Sequence, residues 1–334
     1  MGHRRMRFDR MTWIAAWLLA LCSSACEPAD SGTVSGMGGA RGGATSVGGD
    51  GGSSSGGGAG GTASGGAGGG VTIWLGQGGT VGGTGGGGQS PDNCADSAKV
   101  VYLVTSQNYL YSFDPGLSGL SAYRRIGALS CETASTPQSM SVDRTGKAYV
   151  FYSSGHLYYV NTTTAECTPT GYQHPVSPTK TFYQLGMGFT AETPDSDKQV
   201  LYIHSPDFGL ATIDLQTLAV NKLNVLPSIT AELTGGPDAV LFDFQSSTAE
   251  LSQIDRSTNQ TRSLHKFNLS GVTAFAFSRY AGVFYVFTAS SFGGMTTTTK
   301  YDPQTNTESV RDADIGVTVV GAGQSTCVPP PFIP

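Results

Sequence analysis

Charged residues and long apolar runs are both scarce in this chain of 334 residues. Only 13% of the residues are charged, and 19 lysines and arginines stand against 24 aspartates and glutamates, a net charge of −5. Phosphate binding needs a basic face, so this balance argues against a nucleic-acid partner. The longest apolar stretch, TWIAAWLLAL at 12–21, is too short to span a bilayer.

The N-terminus has the composition of an export signal. Four arginines precede the apolar stretch, and the small residues of CSSAC follow it. A basic region, a short apolar region and small residues are the three parts of a secretory signal peptide. Without residues 1–25, which hold four of the basic and one of the acidic residues, the balance is 15 basic to 23 acidic, a net charge of −8. We therefore expect residues 1–25 to be a signal peptide that is removed.

The sequence SSAC allows two kinds of processing. Ser23 and Ala25 suit ordinary signal-peptidase cleavage before Cys26, and the same residues resemble a bacterial lipobox, although Ser23 stands where leucine is usual. After cleavage five cysteines remain, and acylation of Cys26 would leave four that can pair. We therefore predict a lipid anchor at Cys26, with plain secretion as the alternative.

Glycine dominates the next part of the chain, where 29 of the 60 residues at 31–90 are glycine. Such a segment cannot bury enough apolar surface to offset the entropy lost on ordering. Its G-x-G-x-x-G matches follow from composition and indicate no nucleotide site. We expect residues 26–91 to be a disordered linker with a root-mean-square span of roughly 45 Å. The apolar insert VTIWLG at 71–76 has no assigned role.

From residue 92 the pattern changes to short alternating strands and turns. Five similar segments each contain an apolar strand, a polar turn, a second strand that ends in Asp or Asn, a tight turn and a third strand. These end residues recur at intervals of 47, 53, 41 and 47: Asp114, Asn161, Asp214, Asp255 and Asp302. A period of this length with several strands per repeat predicts a β-propeller. Calcium ligation by these residues is conceivable, but we expect each to cap its own turn, because equivalent positions in different blades lie far apart.

A propeller blade normally has four strands, so each repeat requires an inner strand. Candidates rich in small and apolar residues precede four of the repeats, at 139–143, 186–190, 231–235 and 274–278. The first repeat has none, and the unassigned segment VTVVG at 317–321 can supply it. The sequence therefore predicts an all-β propeller of five four-stranded blades at 92–328, closed by the C-terminal strand and followed by a tail at 329–334. Six blades, with the sixth formed around 168–185, is the alternative.

This arrangement makes a prediction about the cysteines. Cys327 follows the closing strand and Cys94 precedes the strand beside it, so both lie in the same connection. Cys131 and Cys167 lie near the outer strands of the first two blades. Export to an oxidising compartment favours disulfides. Of the three possible pairings we predict Cys94–Cys327 and Cys131–Cys167.

Residues that carry chemistry are few. Glu232 is the one carboxylate placed well inside a predicted inner strand, which makes it a weak candidate for a ligand group in the channel. Glycoside hydrolysis requires a second carboxylate at a fixed separation. The histidines His156, His174, His204 and His265 occur singly, without a metal-binding spacing. We therefore expect no catalytic residue, metal or cofactor.

The lipobox-like SSAC, the tract at 31–90 and the repeats from about 94 to 328 together resemble bacterial surface lipoproteins with a propeller of the YVTN/NHL-like kind. The resemblance implies a monomeric propeller anchored at the outer membrane or cell surface, with a periplasmic or secreted protein as the alternative. It also implies binding or scaffolding of a protein, peptide or glycan partner. The alternative function is that of a surface polysaccharide hydrolase or lyase.

Overall fold

A computed structural model describes residues 93–175, 182–223, 229–291 and 293–330. The predicted signal peptide, the anchor at Cys26, the linker at 26–91 and its apolar insert lie outside the described residues. In the described ranges no helix is long and apolar enough to cross a membrane.

The described residues contain twenty β-strands, most of them five or six residues long. In chain order they are β1 (Val101–Thr105), β2 (Tyr109–Phe113), β3 (Tyr123–Ala128), β4 (Pro137–Val142), β5 (Lys147–Tyr152), β6 (Leu157–Asn161), β7 (Cys167–Pro169), β8 (Gly186–Ala191), β9 (Gln199–Ser205), β10 (Gly209–Ile213), β11 (Val220–Lys222), β12 (Ala231–Thr234), β13 (Leu241–Gln245), β14 (Glu250–Ile254), β15 (Thr261–Lys266), β16 (Ala274–Tyr280), β17 (Val283–Ala289), β18 (Thr297–Asp302), β19 (Thr307–Asp312) and β20 (Val319–Gly323).

The strands form five antiparallel sheets of four, each of which is one blade. From the inner to the outer strand, the first blade is β20-β1-β2-β3 and the second is β4-β5-β6-β7; the third is β8 to β11, the fourth β12 to β15 and the fifth β16 to β19. The inner strands contact one another in a closed ring, in the order β20, β4, β8, β12 and β16. The predicted five-bladed propeller, with its first blade completed by the C-terminal strand, is confirmed.

The closing strand begins two residues later than predicted, at Val319 instead of residue 317. The carbonyl of Thr318 still accepts a hydrogen bond from the backbone N–H of Ser106 at 2.9 Å, so backbone pairing with the first blade begins one residue before the regular strand. The strand continues to Gly323 because its backbone lies against β4, where a Cβ on this glycine would come within 2.7 Å of the Cα of Ser141. Glycine is therefore required at this point in the strand.

The hydrophobic core is divided among the five junctions between neighbouring blades. Each junction has its own cluster of buried side chains. Between the first and fifth blades, for example, Phe113 stacks on Tyr123 with 5.0 Å between ring centroids and meets Phe287 edge-on at 5.3 Å. Burial between sheets, rather than inside one sheet, therefore holds the ring together.

Both predicted disulfides are present. Cys94 and Cys327 are 233 residues apart in sequence and 5.8 Å apart between Cα atoms, and their bond joins the segment before β1 to the segment after β20. Cys131 and Cys167 are bonded with 5.1 Å between Cα atoms, which ties the end of the first blade to the outer strand of the second.

The repeated Asp and Asn residues cap turns, as predicted. In each case Oδ1 accepts the backbone N–H two residues further along the chain, at 2.8 to 3.0 Å. The five residues are Asp114, Asn161, Asp214, Asp255 and Asp302. Each carboxylate or amide is thus occupied within its own blade.

Candidate functional site

A cavity of about 370 Å³ lies where the five inner strands begin. Each inner strand contributes to its lining near its first residue: Val320 of β20, Gln138 of β4, Gly186 of β8, Ala231 of β12 and Phe275 of β16. The cavity is therefore the mouth of the central channel, and every blade presents side chains to it. We call it the mouth cavity.

Four threonines form what we call the threonine collar of the mouth cavity. Thr136, Thr230, Thr273 and Thr318 each stand directly before an inner strand and line the cavity. In the third blade Leu185 stands directly before β8. Gln184, one residue earlier, lines the cavity, and its Oε1 accepts a hydrogen bond from Thr230 Oγ1 at 3.1 Å. The repeat of the fold thus places a hydroxyl or amide group at the mouth in every blade.

Two phenylalanines give the mouth cavity an apolar wall. Phe182, in the connection that leads to β8, is 52% exposed, which is unusual for so large an apolar side chain. Phe275 of β16 is half-buried, with its ring 6.0 Å from that of Phe244. The cavity therefore combines an aromatic surface with the polar threonine collar.

Glu232 lies in the lining of the mouth cavity and is almost fully buried, with 3% of its surface exposed. Its Oε2 accepts a hydrogen bond from Ser139 Oγ at 2.8 Å, and that hydroxyl in turn accepts the backbone N–H of Met187 at 3.1 Å. Burial raises the pKa of Glu232 well above its usual range, against the lowering effect of these hydrogen bonds. The raised pKa favours the protonated form of this carboxyl, which can donate a hydrogen bond.

The contact between Ser139 and Glu232 depends on glycine in the strand between them. Ser139 belongs to the second blade and Glu232 to the fourth, while β8 of the third blade runs between their strands. A Cβ on Gly186 of β8 would lie 2.0 Å from the carbonyl oxygen of Ala231. The absence of a side chain there lets the inner strands approach closely enough for the hydrogen bond to form.

The opposite end of the channel is closed by Gln324, which follows β20 and is 3% exposed. Its Nε2 donates to Thr234 Oγ1 at 2.6 Å and to the carbonyl of Gly235 at 2.9 Å, both in the fourth blade. Its Oε1 accepts the hydroxyl proton of Ser278 and the backbone N–H of Arg279 in the fifth blade. One side chain thus connects three blades.

The chain joins the propeller at this closed end. The disulfide holds Cys94 to Cys327, three residues after Gln324, and the backbone N–H of Ala95 donates to the carbonyl of Arg144 in the turn between β4 and β5. The mouth cavity is at the other end of the inner strands. Its opening therefore faces away from the point where residue 93 leads into the fold.

The other predicted residues do not converge on the mouth. His156 is exposed and contacts Glu132 with its Nδ1 at 3.1 Å, and Nε2 of His265 contacts Glu308 at 2.8 Å. His204 of β9 is buried. Within the described ranges no group of three or more His, Cys, Asp or Glu side chains could hold a metal ion.

Sequence reasoning found Glu232 but missed the threonine collar, the phenylalanine wall and the closing glutamine. A signal for the collar was present, because threonine directly precedes four of the five inner strands. To recognise this signal, one must know the first residue of each inner strand to within one position. Phe182 lies in a connection without a repeat, where sequence alone carries no positional signal.

No protein-family model matches this chain, and no curated protein matches it in sequence. Among solved structures it is similar to the extracellular domain of a hybrid two-component system from B. thetaiotaomicron, with 13% identity and a TM-score of 0.36. That similarity covers 66% of this chain, which spans only 28% of the other. The chain is also similar to a catalytically inactive virginiamycin B lyase from Staphylococcus aureus with quinupristin, with 12% identity, a TM-score of 0.37 and coverage of 66% and 71%. At this level of similarity, neither structure identifies a ligand for this chain.

Proposed function

We propose that this protein is an exported, lipid-anchored surface protein whose propeller binds a partner through the mouth cavity. Residues 1–25 direct export, Cys26 carries the lipid, residues 26–91 are the linker and residues 92–328 are the binding domain. The observation that carries the proposal is a channel open at one end and closed by Gln324 at the other. A blind cavity of about 370 Å³, lined by every blade, has the size and concavity of a small-ligand site.

The position of the mouth supports display at a surface. The chain enters the fold beside the Cys94–Cys327 bond at the closed end. A tether attached there leaves the mouth free to meet a partner from the opposite side. Two disulfides in so small a domain also suit an oxidising compartment outside the cytoplasm.

The content of the mouth cavity favours binding over hydrolysis. Among the described residues that line it, Glu232 is the one carboxylate. Two-carboxylate glycoside hydrolysis needs an ionised base or nucleophile beside a protonated acid. The raised pKa of Glu232 suits the acid alone. A hydrogen-bond donor at the base of the cavity is the simpler use of this group.

The test is to fill the mouth and measure binding. Thr273 is an exposed residue of the threonine collar, so Thr273→Trp should place a bulky ring at the cavity without disturbing the core. Thr307→Trp, at the exposed start of the outer strand of the same blade, is the matched control. The probes are uncharged oligosaccharides and short uncharged peptides, titrated into the full chain and followed by ligand-detected NMR.

We expect at least one probe to bind the unmodified protein and the Thr307→Trp variant, and Thr273→Trp to abolish that binding. Binding that survives Thr273→Trp would place the site elsewhere. A complete lack of binding in the unmodified protein would overturn the proposed function.

A further inference from the structure

We propose that the mouth cavity binds the uncharged end of a saccharide chain, with the sugar hydroxyls on the threonine collar and Glu232 and a sugar ring packed against Phe275. This inference rests on the proposed function and names its ligand class.

The density of hydroxyl and amide groups is the first observation. The threonine collar, Gln138, Gln184, Ser106 and Ser291 all line one cavity of about 370 Å³. Polar groups that lose water on binding must find new hydrogen-bond partners, or binding is weakened. A saccharide carries a hydroxyl on nearly every ring carbon and can satisfy such a lining. A purely apolar side chain of a protein partner would leave it unsatisfied.

The available lone pairs fit this chemistry. Thr273 Oγ1 donates its proton to the carbonyl of Ala289 at 3.1 Å, and Thr318 Oγ1 donates to the carbonyl of Gly294 at 2.8 Å. Each hydroxyl oxygen keeps acceptor capacity when its proton is used in this way. The collar therefore offers acceptors to a ligand rich in O–H donors, while Glu232 offers a donor.

The lining also points to an uncharged ligand. Among the described residues that form the mouth cavity there is no lysine, arginine or histidine, and Glu232 is the one acidic residue. Burial raises the pKa of Glu232, which favours its uncharged form. A sulfated or uronic-acid sugar would bring a charge into a buried site without a countercharge, which is costly.

The two phenylalanines of the mouth cavity provide an apolar surface on which a sugar ring can pack. The exposed ring of Phe182 and the half-buried ring of Phe275 line the same cavity as the threonine collar. The C–H face of a sugar ring is apolar, although its edges are polar, so it can cover a phenyl ring while its hydroxyls reach the collar. Burial of such a ring contributes through the hydrophobic effect.

The closed end of the channel determines which part of a saccharide can bind. Gln324 bridges the first, fourth and fifth blades across the closed end of the channel and blocks passage through it. A polymer can therefore enter only with its end. We infer recognition of a terminal sugar or a terminal pair of sugars.

The experiment is an array that carries neutral oligosaccharides of glucose, N-acetylglucosamine, mannose and galactose beside sulfated and uronic-acid counterparts, probed with the full chain. We expect binding to neutral glycans alone. Phe275→Ala should weaken it by about tenfold or more, since this change removes the half-buried ring against which the sugar packs. Leu120→Ala, at a 64% exposed leucine remote from the mouth, should leave it unchanged.

Glu232 provides a second readout. Glu232→Gln keeps a neutral donor and should preserve affinity, whereas Glu232→Ala should lower it by about tenfold. Affinity of the unmodified protein should fall as the pH rises through the raised pKa, and that of Glu232→Gln should not. The strands packed against β12 also carry Tyr202 and His204 on β9, Asp243 on β13, and Arg279 and Tyr280 on β16, so the Gln variant separates their effect from that of Glu232.

The outcomes separate the two proposals. If uncharged peptides bind in a manner that Thr273→Trp abolishes, and no neutral glycan binds, the mouth is a binding site but the saccharide inference is wrong. Preference for acidic glycans would also overturn the inference. If neither class of probe binds, both proposals fail.

Discussion

Cys94 and Cys327 lie at opposite ends of the propeller sequence, 233 residues apart, and their disulfide fastens the two segments that close the ring. Without β20 the first blade would lack its inner strand, and the core between the first and fifth blades would lose Val319 and Ala322. The bond thus secures the strand on which both the mouth cavity and its closed floor depend.

Removal of this bond should cost more stability than removal of the other. In the chain-entropy model the stabilisation by a cross-link rises with the logarithm of the number of residues in the loop that it closes. Separations of 233 and 36 residues should therefore differ by about 1.7 kcal/mol. We predict that Cys94→Ser with Cys327→Ser lowers the free energy of unfolding in urea more than Cys131→Ser with Cys167→Ser. An equal or reversed order would contradict this, as would a Cys94–Cys131 peptide in a non-reducing digest.

Gln324 should be important for stability despite being polar. Gln324→Ala would leave buried groups on Thr234, Gly235 and Ser278 without their partner. We expect the free energy of unfolding to fall by about 2–4 kcal/mol, since each unsatisfied buried group costs about 1–3 kcal/mol and water can partly replace the amide. The control is Gln216→Ala, at an exposed turn position, which should change stability by less than about 0.5 kcal/mol. A loss no larger than that of the control would show that the floor is not held by this side chain.

Stability should fall as the pH rises between about 4 and about 6 on account of Asp243. Burial in β13 raises the pKa of Asp243 to about 6, and its Oδ1 has no hydrogen-bond partner among the described residues. The native state therefore binds a proton that the unfolded chain has released, and this stabilisation, on the order of 3 kcal/mol, is lost as the pH passes the raised pKa. Glu232 acts in the same direction.

Asp243→Asn isolates this contribution, because turn residues such as Asp214 have lowered pKa values and oppose it. We expect the variant to be more stable than the unmodified protein at neutral pH, with a difference that shrinks towards about pH 4. Chemical denaturation across this pH range measures it. Parallel curves for the two proteins would contradict the prediction.

Anchoring should depend on a single sulfur atom. We predict that Cys26→Ser transfers the protein from the membrane fraction to the soluble exported fraction when the full chain is expressed in a bacterium with lipoprotein processing. The substitution leaves the four cysteines of the disulfides intact, so folding should be unchanged. Continued recovery with membranes would refute the anchor.

Blade number, strand order and both disulfides were predictable because the repeat constrains them together. Five copies of one strand pattern and one missing inner strand favour closure of the ring by the C-terminal strand, and the cysteines then have fixed neighbours. The turn residues followed for the same reason, since Asp114 and its four equivalents occupy the same place in each repeat.

What the repeat does not constrain could not be predicted. The start of β20 was placed two residues early, and its end was missed because glycines that normally weaken a strand lie here in close contact with β4. Gln324 and Phe182 lie in connections that have no repeated pattern. Gln324 acts through hydrogen bonds to the fourth and fifth blades, and Phe182 lines a cavity that all five blades form. Glu232 was found from its position in an inner strand, but its hydrogen bond to Ser139 depends on how closely three inner strands approach.

Hydrogen–deuterium exchange with and without the neutral oligosaccharide that binds best on the array tests the central claim most directly. We predict slower exchange in the segments that begin the inner strands, around Gln138, Gly186, Glu232 and Phe275, and no change around Gln324 at the closed end. Protection confined to the closed end or to the outer strands, or no protection at all, would contradict binding at the mouth cavity.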